Sequence, residues 1–304
     1  MSMNYLQISH KKKPIGGVQY YIERVSSEFS VDTIKITNWS DLFYFLLQIS
    51  FKNNKKIISH SFKYSFFLSL VRSNHYLVIH DNFKAIKSNY SLYYKLILKS
   101  RIKLIVFTKA DRKRFELDNW NVISDNFCIP LKISSKAYNP NLNQEATLLY
   151  YGRISNSQKC CDELLKFAKY SALNVLFIGP FGDVKSIDNY SDFHKGTISN
   201  LEELLVKIKS KKIIGISFSD HEGMPISMFE LINMGIPFVT TPCADSLSFY
   251  FKSIKIGEII DKSNYKDVES KIKLIDDNYT FYSSNCVNLN IDKVWKDSWR
   301  KLLT

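Results

Sequence analysis

Two carboxylates, Glu222 and Glu230, bracket a glycine, a methionine and a proline in SDHEGMPISMFELINMGIPFVTT, residues 219–241. Glu222 falls in a loop, and Glu230 falls in the helix that follows Pro225. Gly235 and Pro237 then break that helix, and an apolar strand begins. A helix start leaves its first N–H groups without internal partners and carries about half a positive charge. Pro225 suits such a start, because the N–H it lacks would be unpaired there in any case. An anion beside Gly223, Met224 and Ile226 would accept bonds from the amides. Glu222 would accept from hydroxyls of a bound group, and Glu230, two turns on, from a second set. A sugar, a phosphate and another sugar in series meet those demands, which describes a nucleotide sugar. A plainer reading makes Glu222 a turn residue closing a capping box with Ser219, and Glu230 a solvated helix residue. Spacing alone favours the plainer reading.

A second group lies in LLYYGRISNSQKCCDELLKFA, residues 148–168. Arg153 and Lys159 stand past a strand and before a helix, where two cations would neutralise the charge on a leaving diphosphate. A solvated basic loop is the equal alternative. In KKKPIGGVQYYIERV, Gly16 and Gly17 permit close backbone approach at a loop feeding a helix start, although a Gly-Gly pair is usually just a turn. Lys11 to Lys13 would touch an acidic acceptor or lipid headgroups, or simply face water. His60 in ISHSF and His80 in YLVIHDNF each stand at a strand end, where a lone histidine is more often structural than catalytic.

The elements that must position these residues alternate along the chain. YLQIS, IKIT, KIIS, YLVIH and LIVF read as strands, with helices near 18–29, 41–49, 63–71, 88–99 and 109–117 between and after them. This βαβα order predicts a parallel sheet covered on both faces. The pattern loosens between Ile129 and Ala146, a polar stretch with two prolines that reads as a linker. It then restarts. TLLYYG, LNVLFIG, IIGISF, IPFVTT and IKIGEII read as strands, with helices at 161–170, 199–209, 226–234 and from about Tyr265. DKVWKDSWRKLL places Val294, Trp295, Trp299, Leu302 and Leu303 at helical spacing. Ligands of doubly wound sheets bind beyond the carboxyl ends of the strands.

A chain of 304 residues, 45% of them hydrophobic, suffices for two domains with packed cores. The N-terminus, MSMNYLQISHKKKP, has its charges after its apolar run, the reverse of a secretory signal, and no stretch approaches bilayer length. Five cysteines, an odd number without metal-type spacing, suggest a reducing cytoplasm. Residues 1–140 hold 22 Lys or Arg against 9 Asp or Glu, whereas residues 141–304 hold 20 against 20, so the whole net charge of +13 sits in the first half. A basic half seeks nucleic acid, an anionic membrane face or an acidic substrate, unless the chain simply favours lysine. No nucleic-acid-binding motif is present, so no nucleic-acid partner is expected.

The flanking residues decide between the readings. SDHEGMPISMFELINMGIPFVTT resembles the retaining GT-B glycosyltransferases, glycosyltransferase family 4 in particular. There a strand ends in Ser-x-x-Glu-Gly, and Glu-x7-Glu runs into a helix followed by Gly-x-Pro-x-Val. The resemblance implies that Glu222 contacts the donor sugar, that Glu230 contacts the ribose, and that the amides of Gly223 and Met224 face sugar and phosphates. Gly152, Arg153 and Lys159 are similar to the family's strand–Gly-Arg–loop–Lys-Gly–helix, whose Arg and Lys grip the diphosphate. One departure is that the glycine after the lysine is Cys160 here. Gly16 and Gly17 look like the family's glycine-rich loop. His80-Asp81 resembles the position at which a histidine after the fourth strand hydrogen-bonds the donor sugar, which favours His80 over His60. VLFIGP and FHKGTISNLEELL are similar to the nucleotide-base region, so Gly179, Lys195 and Gly196 are expected near the base. TTPCADSLSFYF departs from the family, where relatives usually carry Gly-Gly and an acidic residue.

The expectation is thus an α/β protein of GT-B fold, with two Rossmann-like doubly wound domains facing across a cleft. The first, 1–138, binds the acceptor, the second, 145–288, binds the nucleotide sugar, and a C-terminal helix, 289–304, packs back on the first. Glu222, His80, Arg153 and Lys159 are the expected catalytic residues. Gly16, Gly17, Gly152, Gly179, Lys195, Gly196, Gly223, Met224, Pro225, Ile226 and Glu230 join them in holding the donor. No cofactor and no metal are implied, because Arg153, Lys159 and the helix dipole take the cation's role and no Asp-x-Asp motif occurs. The implied activity is retaining transfer of a sugar from a nucleotide diphosphate sugar to a glycan or glycolipid acceptor in cell-surface polysaccharide synthesis. The basic half suggests peripheral attachment to the anionic inner face of the cytoplasmic membrane. A nucleotide-sugar epimerase on the same fold and a non-catalytic partner subunit of a transferase are the rivals.

Overall fold

The computed structural model describes residues 5–10, 17–52, 56–71, 75–80, 83, 86–87, 91–98, 102–107, 109–124, 138–198, 201–208, 211–223 and 225–304. The chain divides into two compact units, Met1–Pro130 with Ile291–Thr304, and Leu131–Asn290.

The first unit holds a six-stranded parallel sheet of order β2-β1-β3-β4-β5-β6, built from β1 Tyr5–His10, β2 Asp32–Ile36, β3 Lys56–Ser59, β4 Tyr76–Val78, β5 Lys103–Ile105 and β6 Asn121–Ser124. Side chains along a strand alternate between faces. Leu6 and Ile8 of β1 accordingly pack with Leu42, Phe45 and Leu68, from the helices Trp39–Lys52 and Phe62–Val71. Gln7, between them, reaches the helix Gly17–Phe29 instead, where its Nε2 donates to the Ile22 carbonyl at 2.9 Å. The helix Ile291–Leu303 belongs to this unit. Trp295 and Trp299 are fully buried there, and both rings pack on Phe29.

The second unit holds a five-stranded parallel sheet of order β11-β10-β9-β7-β8, from β7 Ala146–Tyr151, β8 Asn174–Ile178, β9 Lys212–Ser217, β10 Phe238–Thr240 and β11 Gly257–Ile259. Every residue of β9 is buried, which explains why IIGIS reads as a continuous apolar run. Strand order reverses between β7 and β9, and the loops leaving such a switch point are where an open α/β sheet takes its ligand. Tyr138 is already docked in this unit: its N–H donates to the Met234 carbonyl at 3.1 Å and its hydroxyl to the Ile208 carbonyl at 2.8 Å. Within the polar stretch before β7, Tyr138 is thus anchored, while residues 141–145 are exposed.

Candidate functional site

Both loops at the β7/β9 switch point carry residues singled out in the sequence. β7 leads through Gly152 and Arg153 to Lys159, and β9 leads through Ser217 to Glu222. The ammonium of Lys159 is hydrogen-bonded to Glu222 Oε1, and Gln158 Nε2 donates to Glu222 Oε2 at 3.2 Å. Gln158 Nε2 also donates to the His221 carbonyl at 3.0 Å, and the Asp220 N–H donates to the Gln158 carbonyl at 3.0 Å. Glu222 is buried, 6% exposed, so its charge must be met by these partners. Its own N–H donates to the Cys243 carbonyl at 2.9 Å, while Thr241 Oγ1 donates to the Ser219 carbonyl. The loop is thereby stapled to the end of β10. Ser219 Oγ pairs with Ser217 Oγ at 2.9 Å, and Glu222 is engaged by Lys159 and Gln158 rather than in a capping box.

The helix Ile226–Asn233 starts next to these residues in sequence. Pro225 stands just outside it as the cap residue, extended at φ −75° and ψ 103°, with no side-chain cap bond. Among the described residues no side chain is seen to accept from the first amides of the helix, which suits an anion. A Cβ on Gly152 would lie 3.3 Å from Ser227 Oγ, so the β7 turn and the first turn of this helix are in contact. Glu230 is buried, 6% exposed, which removes the reading of it as a solvated residue.

The turn from Gly152 to Cys160 is held from outside. Asp183 accepts from the Ser157 N–H at 2.9 Å and the Asn156 N–H at 3.3 Å. Hydrogen bonds from Ser157, side chain first and backbone second, hold the Asp183 carboxyl down to about 2. Cys160 itself adopts φ +50° and ψ 39°, the left-handed conformation in which glycine is ordinarily favoured. Lys262 closes the turn, donating to Asp220 Oδ1 at 2.5 Å and Cys160 Sγ at 3.2 Å, and pairing with Glu163 at 2.9 Å. Sequence reasoning missed both Gln158 and Lys262. Arg153 is exposed and makes no ion pair with another described residue.

Gly179, Lys195 and Gly196 come together at the end of β8. The Lys195 N–H donates to the Phe177 carbonyl at 2.9 Å and the Gly179 N–H to the Gly196 carbonyl at 3.1 Å. A Cβ on Gly179 would fall 1.8 Å from the Gly152 carbonyl oxygen, so the β7 and β8 turns approach as only glycine permits. Gly16, Met224, Asp81 and Lys11 to Lys13 lie outside the described residues.

In the first unit, Gly17 opens the helix Gly17–Phe29, and His80 follows β4. His60 and His80 are not alternatives but a pair, with Nδ1 of His60 2.9 Å from Nε2 of His80. His60 Nε2 lies 3.1 Å from Gln7 Oε1. Burial lowers both imidazoles, His80 to about 3; for His60 repulsion from His80 adds to the effect. The edge of Tyr21 packs against His80 at 5.0 Å between centroids, and its hydroxyl accepts from Trp299 Nε1 at 2.9 Å.

No protein-family model matches this chain, and no curated protein sequence matches it. Solved structures do. Lipopolysaccharide outer core galactosyltransferase WaaB matches over 98% of this chain and 99% of its own, at TM-score 0.70 and 12% identity. Sucrose-phosphate synthase from Thermosynechococcus elongatus matches over 98% and 96%, at TM-score 0.71 and 13% identity. Anabaena HepE, solved with UDP-glucose, matches over 99% of both chains, at TM-score 0.66 and 10% identity. The fold is that of the GT-B glycosyltransferases. At these identities the likeness is one of fold, and the chemistry of this chain rests on its own residues.

Proposed function

We propose that this protein is a retaining, metal-independent glycosyltransferase. It would move a sugar from a nucleotide diphosphate sugar to a glycan or lipid-linked acceptor in cell-surface polysaccharide synthesis. The observation that carries the reading is the Lys159–Glu222–Gln158 cluster at the switch point of the second sheet, next to an uncapped helix start. An ammonium has three N–H donors, and Glu222 occupies one of those on Lys159, so the others remain for a phosphate. Glu222 holds that cation in place and, through its remaining lone pairs, takes hydroxyls of the donor sugar. Arg153, exposed beside the same turn, supplies a second cation, and the amides of Gly223 and Ile226 add oriented dipoles. The ribose falls to Glu230, and the base to the Gly179, Lys195 and Gly196 loop. Within the first unit, His80 is the residue proposed to hold a sugar hydroxyl of that unit's own ligand.

The anomeric carbon–oxygen bond to the diphosphate breaks as a bond to the acceptor oxygen forms on the same face. The acceptor's proton passes to the departing phosphate, so no separate base is required. Lys159, Arg153 and the helix start stabilise the negative charge that develops, and the protein acts chiefly through position and electrostatics.

The acceptor is assigned to the basic first unit, and a peripheral place on an anionic cytoplasmic membrane face goes with it. Trp39, Phe43, Tyr44 and Leu47 of the helix Trp39–Lys52 are exposed in the half that carries the excess positive charge, which supports that placement. Each basic residue near such a surface contributes about 1 kcal/mol. No described helix is long and apolar enough to cross a membrane.

A thermal-shift and turnover screen of UDP-, GDP-, ADP- and CDP-sugars, with and without glycan acceptors, tests the reading. One donor should stabilise the protein and be consumed only with acceptor, and the Arg153→Ala/Lys159→Ala double variant should lose at least about 100-fold in turnover. Conversion of the donor to an isomer without acceptor would make the protein an epimerase. Undiminished turnover in the double variant would reject the site.

A further inference from the structure

The first unit contains a polar chain that the proposed chemistry does not by itself require. Gln7 is fully buried, and its Nε2 donates to the Ile22 carbonyl at 2.9 Å and to Thr33 Oγ1 at 2.9 Å. A carbonyl oxygen only accepts, so the amide cannot be turned over without setting two oxygens against each other. Gln7 Oε1 therefore faces His60, and His60 Nε2, 3.1 Å away, must carry the proton. In a neutral imidazole the other nitrogen is then an acceptor. His60 Nδ1 is that acceptor, so His80 Nε2, 2.9 Å from it, must donate. The same argument leaves Nδ1 of His80 without a proton. Among the described residues, His80 Nδ1 has no hydrogen-bond partner.

We propose that Gln7 and His60 are positioning residues that fix His80 as its Nε2–H tautomer, so that His80 presents Nδ1 to the first unit's ligand as a hydrogen-bond acceptor for a sugar hydroxyl. The second half of this statement rests on the glycosyltransferase reading; the first half does not. The direction of the chain selects its ligand. A sugar hydroxyl can donate to the Nδ1 lone pair, whereas a carboxylate or phosphate oxygen would meet another lone pair. His80 thus discriminates against an anionic substituent at the position it touches. The chain runs from β1 through β3 to β4, three strands that are neighbours in the sheet, so the sheet itself sets its spacing. Tyr21 closes the aromatic side, edge-on to both rings at 5.9 Å from His60 and 5.0 Å from His80.

Ring-nitrogen shifts in the 15N-labelled full chain at pH 7.5 test this without any substrate. His80 should show a protonated Nε2 and a bare Nδ1. His60→Leu removes the acceptor and should release His80 to a mixture of tautomers. His60→Asn puts a carbonyl oxygen where Nδ1 was, and should restore the single tautomer. A protonated Nδ1 in the wild type, or an unchanged His80 spectrum in His60→Leu, would overturn the proposal. Circular dichroism of each variant separates these results from misfolding. Failure of the transferase reading would show instead as absence of donor turnover with the tautomer pattern intact.

Discussion

His60 and His80 would each ionise near 6.5 in an unfolded chain, and burial holds both below that in the folded protein, His80 at about 3. Below pH 6.5 the unfolded chain therefore binds protons that the native state refuses. Stability rises with pH across that window, and is lost as pH falls from 6.5 toward 3. Each ring contributes a slope of up to about 1.4 kcal/mol per pH unit once the unfolded histidine is fully charged. The lowered carboxylates of the same unit, Asp41 and Asp118, act only below their ordinary value of 3.8, so the interval from 6.5 to 4.5 reports the histidines. Native-state hydrogen exchange at the amides of β1 and β3 reads this unit alone. Protection should fall between pH 7 and 5, and the fall should shrink in the His60→Asn/His80→Asn double variant. Equal protection at both pH values would show that the pair ionises normally.

The turn between β7 and the helix Cys161–Tyr170 shows what a local element owes to sequence and what it does not. A glycine is the residue expected after Lys159, yet Cys160 takes φ +50° itself. A left-handed residue with a side chain costs about 1–2 kcal/mol. Cys160→Gly should recover most of that, less the lost burial of a 5% exposed thiol and its contact with Lys262. The expected result in urea titrations of the second unit is unchanged or slightly raised stability with turnover kept, whereas Cys160→Val should lose about 1 kcal/mol or more. A large loss in Cys160→Gly would mean that the thiol, not the conformation, holds the turn. Most of the strand and helix order was legible because β-branched runs alternate with helical spacing, but β6 Asn121–Ser124 and the helix Tyr279–Asn288 were not read, and Glu222, Glu230 and Lys159 were legible because a motif carries them. Gln7 was not, because inside YLQIS it reads only as one more strand residue. Its partner His60 is 53 positions away, and Lys159 and Glu222 are 63 apart. Such pairs exist only once strand order is known, and neither sheet order follows the chain.

At the scale of the whole molecule, the chain leaves the first unit after Pro130 and returns to it at Ile291. The returning helix is amphipathic in a simple way, with Ile291, Trp295 and Trp299 buried and Arg300 and Lys301 exposed. Arg24 lies 3.7 Å from Asp292 and Lys296 lies 3.4 Å from Glu28, while Tyr5 donates to the Leu302 carbonyl at 3.0 Å. The ion pairs are partly exposed and contribute little. The tryptophans decide the matter, since truncating one buried Trp costs about 3–5 kcal/mol and a domain's whole stability is about 5–15 kcal/mol. A chain ending at Asn290 should therefore lose the first unit and keep the second. Limited proteolysis should degrade residues up to Pro130 and leave a resistant fragment covering Leu131–Asn290. Equal resistance of both units would show that the tryptophans are dispensable. The consequence reaches the histidines, because Trp299 bonds the Tyr21 hydroxyl and the Tyr21 ring abuts His80. A milder change, Trp299→Phe, removes that N–H and part of the ring while keeping an aromatic side chain against Phe29. It should leave the unit folded while broadening the His80 ring signals, which would separate the helix's part in stability from its part in holding the site.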